Sequence, residues 1–505
     1  MAYNATYEYC DSDALPAEST KISSLAPNQF YKICPGQHTL SNGTHAPLGQ
    51  PRCGDGTNYS FLVSRPEKQQ QPSSPSKEKI FIEFSGGGAC WDDLTCKLQS
   101  SWLTFPSWFN SVVGSSCSEL GEMLLCAKTL GDTDFSEYTT VLIPYCTQDV
   151  HLGDEPNASY DGGSNIIQHV GAHNMYRTLK WVFDNFPDPS HIFLTGCSAG
   201  GTPLPVVYDL INSHYNSGGR GQPSVSVIAD SPVFLTPSYF LQNSLPNWNV
   251  GTIMKMIGFD FDMYKNEESF PLDLLEYSLE RSNKNDKWGF VTHNNDQISL
   301  WYYSLMGGSS LGDLFDGGRQ LLSPKQDDLG TLNRKLAEEM QSQWWTELNS
   351  SMTLAANDHS NFDIFVMEGN GHCGFGLNTP LKYTGFEEWA STIVKEHDAP
   401  IMVADGPLES PSNSSLSPTA AGLPSAMIPN TNTIVKENDA PVMVADGPFE
   451  SPLNSSLSPT AADPPSAMIP NNETMSNVAA SQASSSFATT AVVMLTMRFL
   501  SSLVH

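Results

Sequence analysis

The chain has 505 residues, and its 25 Lys and Arg against 54 Asp and Glu give a formal net charge of −29. A protein that binds nucleic acid or an anionic membrane carries a basic surface, so this balance excludes that class and predicts no nucleic-acid partner. Hydrophobic residues make up 39% of the sequence and charged residues only 16%, which is enough apolar material for a sizeable core.

Residues 1–50 are polar and rich in turn-forming residues, and we expect an N-terminal polar segment there. From residue 51 onward, short apolar runs bounded by Gly, Pro or Asp alternate with helical patterns, as in a buried parallel sheet. An amphipathic helix is predicted over Asn165–Phe183 and a last helix over Phe386–Val394. The alternation predicts an α/β domain over 51–392 with a mostly parallel sheet flanked by helices. The predicted strands are Tyr59–Ser64, Ile80–Phe84, Thr140–Ile143, His191–Thr195, Val225–Ala229 and Phe362–Met367.

The composition changes near residue 392. Residues 392–430 and 433–471 are near copies that match at 33 of 39 positions. Both are rich in Pro and Ser and poor in large apolar residues, so we predict a disordered, duplicated linker over 393–486. Residues 487–505 form an apolar tail, and the small residues and polar spacer before it fit a GPI-attachment signal. The alternative is a disordered tail that is apolar by chance.

The ten cysteines, sparse Lys and several Asn-x-Ser/Thr sequons favour an oxidising, secretory environment, so we expect a secreted, cell-surface or cell-wall glycoprotein. No signal peptide is visible at Met1–Asn4. Cys90 and Cys96 flank the Trp91–Thr95 segment and are expected to form a disulfide. The sequons are at Asn4, Asn42, Asn58, Asn157, Asn349, Asn413, Asn454 and Asn472.

The strongest motif follows the apolar run His191–Thr195, where the chain reads Gly-Cys-Ser-Ala-Gly-Gly over 196–201. Gly-x-Ser-x-Gly directly after a strand is the pattern of a nucleophile elbow, in which glycines permit a sharp turn that exposes the serine above the sheet. A helix is expected to begin near Thr202, since Pro203 is tolerated in a first helical turn. The motif predicts Ser198 as a catalytic nucleophile; the alternative is a tight turn with a capping serine.

A second glycine cluster, Ser-Gly-Gly-Gly over 85–88, follows the predicted strand Ile80–Phe84. Acyl transfer needs backbone N–H groups directed at the developing oxyanion, and hydrolases of this kind take them from such a loop and from the residue after the nucleophile. We therefore predict oxyanion donors at Gly87, Gly88 and Ala199. A phosphate-binding loop is the alternative, but the Lys-Ser/Thr that would follow its glycines is missing.

The remaining members of a triad would follow in the order Asp, then His. His372 lies among glycines just after the strand Phe362–Met367, where a loop can bring its imidazole over the sheet, and we predict it as the base. His359 sits in a polar connection and is expected to be solvated. The acid stays open at this point, because spacing does not choose between Asp230 and Asp296.

Seven motifs in this order resemble the pectin acetylesterase family, which includes the animal secreted carboxylesterase Notum. They span about residues 50 to 390, the whole predicted globular part. The motifs are CGDGTNYSF (53–61), FSGGGACWDDLTC (84–96), IPYCTQDVHLG (143–153), GCSAGG (196–201), ADSP (229–232), HNNDQ (293–297) and GNGHC (369–373).

The resemblance implies an α/β-hydrolase-like fold and a triad acid at Asp296, with Asp230 as a structural residue near the site. Where plant and animal members carry a bulky aromatic residue beside the glycines, this chain has Gly88-Ala89 and places Trp91 after the cysteine. Trp91 is accordingly the candidate substrate-binding residue. Cys197 and Cys373, next to the nucleophile and the base, either pair or stay buried as free thiols.

The resemblance also implies a secreted serine carboxylesterase without cofactor. We further expect a monomer with no metal site. Its substrate would be an acetylated polysaccharide, pectin or a related cell-wall polymer, from which Ser198, His372 and Asp296 remove O-acetyl groups through an acyl-enzyme. One alternative is a Notum-like deacylase of a lipidated protein or another acyl ester. The other is an inactive cell-surface binding module, against which the intact Ser, His and Asp count.

Overall fold

A computed structural model describes residues 11, 14–17, 19–35, 48–66, 78–98, 129–130, 133–216, 222–264, 270–307, 328–374 and 385–395. The tail predicted over 487–505 lies outside the described residues, as does the linker of 393–486 apart from its first three residues. Among the described residues, no helix has the length and apolar character needed to cross a membrane.

The described part of the chain forms a nine-stranded central sheet in the spatial order β1-β2-β3-β7-β4-β10-β11-β12-β13. Neighbouring strands from β7 to β13 are all parallel, whereas β3 is antiparallel to both β2 and β7. Two hairpins, β5-β6 and β8-β9, stand apart from this sheet. The strands are β1 Leu15–Pro16, β2 Phe30–Cys34, β3 Phe61–Ser64, β4 Lys79–Phe84, β5 Thr129–Leu130, β6 Thr133–Asp134, β7 Tyr138–Ile143, β8 Glu155–Tyr160, β9 Asn165–His169, β10 His191–Cys197, β11 Ser224–Asp230, β12 Lys287–His293 and β13 Phe362–Met367.

Helices cover both faces of the sheet. The larger apolar core packs α2 and α3 against one face, for example through Leu179 and Val206, and the smaller core packs α10 against the other through Phe386 and Ile393. The helices are α1 Asp93–Leu98, α2 Gly171–Asn185, α3 Leu204–Asn216, α4 Ser238–Asn243, α5 Gly251–Ile257, α6 Phe261–Tyr264, α7 Phe270–Glu280, α8 Gln297–Met306, α9 Asp328–Asp358 and α10 Phe386–Val394. This confirms the predicted α/β class with a mostly parallel sheet flanked by helices. The carboxyl ends of its parallel strands meet at one edge, where such folds place their sites.

The helix predicted over Asn165–Phe183 is wrong in its first turns. Asn165–His169 is the strand β9, and the helix begins only at Gly171. In this strand Ile167 is fully buried while Ile166 is 51% exposed, which is the alternation of a hairpin strand rather than of a helix face. The two adjacent isoleucines fit both patterns in the sequence, and pairing with β8 decides between them.

The N-terminal segment, predicted as polar and turn-rich, also contributes two strands to the central sheet. Its strands β1 and β2 join the sheet next to β3, so the sheet includes residues before the boundary predicted at 51. In β2 the polar Lys32 is only 4% exposed, and its ammonium group is 2.7 Å from the carboxylate of Asp11. The acidic partner offsets the free-energy cost of burying the charge of this lysine. The sequence alone does not distinguish Lys32 from an exposed polar residue.

Candidate active site

Ser198 stands at a sharp turn between the end of β10 and the start of α3. Its backbone φ is +57°, a left-handed conformation that non-glycine residues rarely adopt. The turn passes so close to β4 that a Cβ on Gly200 would lie 2.1 Å from the carbonyl oxygen of Phe84. The strand, strained turn and helix are those of a nucleophile elbow, and they leave Ser198 half-buried at the carboxyl edge of the sheet.

The glycine loop after β4 packs directly against this elbow. A Cβ on Gly86 would lie 2.5 Å from the carbonyl oxygen of Cys197 and 3.2 Å from Cβ of Ser198. Gly87 and Gly88 have φ values of +154° and +76°, which side-chain-bearing residues avoid. Gly87 and Gly88, the predicted oxyanion donors, directly follow Gly86 in this loop, and Ala199 is the buried residue after Ser198.

Gln148 fixes the orientation of this glycine loop, and the sequence reasoning missed it. The Gln148 side chain is completely buried, and its Nε2 donates a hydrogen bond of 2.9 Å to the carbonyl oxygen of Gly87. Because a trans peptide is planar, the N–H of Gly88 points away from that carbonyl. Gln148 therefore sets the direction in which the Gly88 N–H points. Its place in the YCTQDVHLG motif was the available signal in the sequence. In the structure this position has φ of +57°.

The segment that carries Gln148 is itself strained and tightly held. Val150 and His151 also have positive φ values, +48° and +62°. Asp149 accepts the N–H groups of Gly171 at 2.7 Å and of His151 at 3.2 Å. The Nε2–H of His151 donates to the carbonyl oxygen of Ser85 at 2.9 Å, and burial lowers the pKa of this histidine to about 4, so it stays neutral. Through Gln148 and His151, this segment is hydrogen-bonded to the glycine loop.

The imidazole of His372 contacts Asp296. Its Nδ1 lies 2.8 and 2.9 Å from the two carboxylate oxygens. Asp296 is completely buried at the N-cap of α8, where it also accepts the N–H of Ser299 at 2.9 Å and its hydroxyl at 3.0 Å. One residue thus caps a helix and orients an imidazole, which requires a loop from β13 to reach the start of α8.

The two groups shift each other's pKa. Burial opposes the charged form of each, but the interaction with the partner outweighs burial, so the pKa of His372 is raised and that of Asp296 is lowered. Asp296 is therefore ionised at neutral pH. An ionised carboxylate on Nδ1 selects the tautomer in which Nε2 is free to accept a proton.

Asp230, the other candidate acid, holds the loop that carries His372. Its Oδ1 accepts the N–H of Gly374 at 3.1 Å, and the hydroxyl of the neighbouring Ser231 accepts the N–H of Cys373 at 3.2 Å. The carboxylate also contributes, after Asp296, to the raised pKa of His372. Spacing alone did not choose between Asp230 and Asp296 as the acid. In the structure, Asp296 contacts the imidazole of His372, and Asp230 holds the loop that carries this histidine.

Among the described residues, His372 and Ser198 do not share a hydrogen bond. Nε2 of His372 has no hydrogen-bond partner among the described residues. A ring nitrogen of His372 nevertheless lies within 4.8 Å of the sulfur of Cys197, the residue before Ser198. Catalytic hydrogen bonds are often long in free enzymes and shorten when substrate binds.

The cysteines near the site are disulfide-bonded. The predicted pair Cys90–Cys96 is confirmed. The sequence left Cys197 and Cys373 open between a disulfide and free thiols, and in the structure they are paired. The loop after β13 that carries His372, here called the base loop, brings Cys373 to the end of β10. Each pair has a histidine nearby, but disulfide sulfurs carry no thiolate, so neither cluster offers the sulfur ligands that a metal would need.

An apolar cavity of about 60 Å³ opens beside the elbow and the glycine loop, between Ala89 and Thr202. Trp91, the predicted substrate-binding residue, forms part of its wall, where it is 2% exposed and meets Phe240 edge to face at 5.1 Å. The small side chain at Ala89 leaves this space open. The lining residues are Ala89, Trp91, Val150, Leu152, Thr202, Val233, Phe234, Thr236, Phe240, Leu241, Leu245, Trp248, Val250, Met254, Phe270, Pro271, Leu274, Tyr302 and Met306.

Residues 45–260 match the family model described as pectinacetylesterase. The match covers less than half of the chain, and over these residues the chain is similar to the pectinacetylesterase family. The matched segment contains the elbow and the glycine loop, whereas Asp296 and His372 lie beyond it. Their placement at the site therefore comes from the structure of this chain.

Two Notum proteins are also similar to the chain. The palmitoleoyl-protein carboxylesterase NOTUM of Schmidtea mediterranea is 27% identical over 197 residues, which cover 38% of this chain and 34% of that protein. The chain thus matches about a third of the length of that relative. A structure of the Wnt deacylase Notum from Drosophila is 18% identical with a TM-score of 0.39, covering 66% of this chain and 85% of that one.

Proposed function

We propose that the chain is a secreted serine carboxylic ester hydrolase that removes short acyl groups, with O-acetyl esters of pectin or a related cell-wall polysaccharide as its substrate class. The contact between His372 and Asp296, beside the Ser198 elbow and its glycine loop, is the observation that carries the proposal. The pectinacetylesterase match supports the class of reaction. The disulfides, including Cys53–Cys146, support an extracellular location.

In the proposed mechanism, Ser198 Oγ attacks the ester carbonyl while His372 Nε2 takes its proton. Asp296 stabilises the imidazolium that forms. The N–H groups of Gly87, Gly88 and Ala199 receive the negative charge that develops on the carbonyl oxygen. His372 then returns the proton to the oxygen of the leaving sugar, which departs as the alcohol, and water hydrolyses the acyl-enzyme by the same steps.

The size of the apolar cavity favours a short acyl group. A water-sized group occupies roughly 10–15 Å³ of such space, so the cavity holds roughly four to six of them. An acetyl group fits within that space. A long acyl chain has several times more heavy atoms and would require the packed walls to move.

A long-chain deacylase is the second candidate, and the composition of the cavity wall favours it. Apart from the hydroxyls of Thr202, Thr236 and Tyr302, the lining is apolar, with Trp248, Met254 and several other large side chains. Such a wall stabilises methylene groups by about 0.8 kcal/mol each when they are buried. The volume argues against this candidate and the polarity argues for it, so chain length is the property to measure.

The test is hydrolysis of p-nitrophenyl esters from acetate to palmitate by the wild type and by Ser198→Ala. We expect the highest kcat/KM at acetate to butyrate and a loss of at least about 10³-fold in the variant. A maximum at long chains would replace the proposal with the deacylase. No hydrolysis at any length by folded protein, on these esters and on acetylated pectin, would instead favour the inactive binding module.

A further inference from the structure

The disulfide Cys197–Cys373 joins the two halves of the candidate site. Cys197 is the residue before the nucleophile Ser198, and Cys373 is the residue after the base His372. The two cysteines are 176 residues apart in the chain, so this bond closes a long loop directly at the reacting groups. The other two described disulfides are Cys53–Cys146 and Cys90–Cys96. None of their cysteines is next to Ser198 or His372 in the chain.

Both ends of this bond adjoin strained backbone. Ser198 has φ of +57° and Cys373 has φ of +63°. Left-handed conformations of residues other than glycine persist only where the surroundings hold them. A covalent link between the two positions is such a restraint, and it acts on the elbow and on the base loop together.

The hydrogen bonds of the base loop do not replace this link. Cys373 N–H is held by Ser231, Gly374 N–H by Asp230, and His372 Nδ1 by Asp296. These bonds fix the loop to the ends of β11 and the start of α8. Within the described part of the chain, none of them reaches Ser198 or its turn.

We propose that the Cys197–Cys373 disulfide is a positioning element of the proposed esterase reaction, which sets the approach of His372 Nε2 to Ser198 Oγ, and that reducing it lowers turnover. The inference rests on the proposed serine esterase function. In the reduction, dithiothreitol supplies two electrons and two protons, the S–S bond breaks into two thiols, and dithiothreitol becomes its cyclic disulfide.

The test is the double variant Cys197→Ala/Cys373→Ala, assayed on p-nitrophenyl acetate. A displacement of about 1 Å between reacting groups can cost about 100-fold in rate, so we expect kcat to fall by about 10- to 100-fold. KM should change less than about threefold, because the apolar cavity beside the elbow is lined by other residues.

The pH profile separates positioning from general weakening of the fold. Asp296 and Asp230 raise the pKa of His372 against the effect of burial, and the base must be neutral to act. If the freed loop lets His372 move away from Asp296, its pKa falls. The acid limb of the kcat profile should then move to lower pH in the double variant. A profile that keeps the wild-type position would contradict this expectation.

Val63→Ala is the matched control for stability. Val63 is completely buried in β3, which β7 and β4 separate from β10 in the sheet. This variant should lower the thermal midpoint but leave kcat at 25 °C near the wild-type value. The proposal is overturned if the double variant keeps wild-type kcat. It is also overturned if Val63→Ala loses as much kcat as the double variant at a similar midpoint.

Treatment with dithiothreitol completes the test. The wild type should lose kcat on reduction and regain it on reoxidation, while the double variant should lose little further. An equal loss in both proteins would assign the effect to the other disulfides and overturn the role of Cys197–Cys373. Wild type and Ser198→Ala in the same assay keep the two claims apart: inactivity of the wild type refutes the esterase itself, whereas an active wild type with an equally active double variant refutes only the positioning role.

Discussion

Asp296 is the residue on which the geometry of the site depends. It ends the turn after β12, caps α8 through two backbone N–H groups, and still presents both oxygens to His372. Helix capping restrains the carboxylate in one orientation, so the imidazole is oriented by a group that cannot easily rotate. Asp230 affects the position of His372 indirectly, by accepting a hydrogen bond from Gly374 in the loop that carries this histidine.

Replacing the two aspartates one at a time tests this division of roles. Asp296→Asn should lower kcat by about 10³- to 10⁴-fold, the size of effect seen when a triad acid loses its charge. It should also move the acid limb of the pH profile to lower pH, since Asp296 raises the pKa of His372. Asp230→Asn should cause a smaller loss and a smaller shift in the same direction. If Asp230→Asn is the more damaging variant, the assignment of the acid is wrong.

Gln148 provides a second test at this scale. Gln148→Met keeps the length of the side chain but removes the donor that holds the carbonyl of Gly87. Loss of one oxyanion donor costs about 10²- to 10³-fold in kcat, and a donor that is only misaligned should cost less, about 10- to 100-fold. Steady-state kinetics on p-nitrophenyl acetate should show this in kcat with KM nearly unchanged. An unchanged kcat in folded Gln148→Met would show that the glycine loop keeps its orientation without this hydrogen bond.

At the scale of elements, the sequence predicted those parts whose signal is local. The strands that precede Ser85 and Ser198 are short apolar runs next to glycine motifs, and β4 and β10 lie where they were expected. The strand β12 was missed, because Lys287–His293 contains Gly289 and polar ends and is recognisable only between its neighbours β11 and β13. Buried strands do not alternate, so their pattern is weak when the run is mixed.

The parts of the site that the sequence could not settle depend on contacts between distant segments. Choosing Asp296 over Asp230 from residues alone required knowing which carboxylate the loop after β13 reaches. The state of Cys197 and Cys373 required the distance between two loops 176 residues apart. Predicting the role of Gln148 required knowing that the segment after β7 contacts the glycine loop.

The helices that line the apolar cavity should set the preferred acyl length. Met254 on α5 is completely buried and forms part of the cavity wall. Met254→Ala should enlarge the cavity and move the best p-nitrophenyl ester to a longer chain, while lowering the free energy of unfolding by about 2–5 kcal/mol. Met352→Ala on α9 is the matched control, since Met352 is equally buried but does not line the cavity. If both variants keep the wild-type chain-length preference, the cavity does not receive the acyl group.

At the scale of the whole molecule, the net charge of −29 constrains the substrate. A polyanionic pectin is repelled by such a protein, and salt screens this repulsion as the Debye length falls from about 30 Å at 0.01 M to about 8 Å at 0.15 M. KM for acetylated polygalacturonate should therefore fall as salt is raised over this range. KM for a neutral acetylated polysaccharide should stay constant and serves as the control. A KM for the charged polymer that rises with salt would show instead that the cleft attracts it.

Labelling with a fluorophosphonate tests whether Ser198 is the nucleophile. The reagent should add one covalent group to the wild type, and peptide mapping should place it on Ser198. His372→Ala should react at least about 100-fold more slowly, because general-base assistance contributes about 10²- to 10⁴-fold to such attacks. Ser198→Ala should remain unlabelled. Labelling of Ser198→Ala at the wild-type rate, or a wild-type label on any other residue, would show that Ser198 is not the nucleophile.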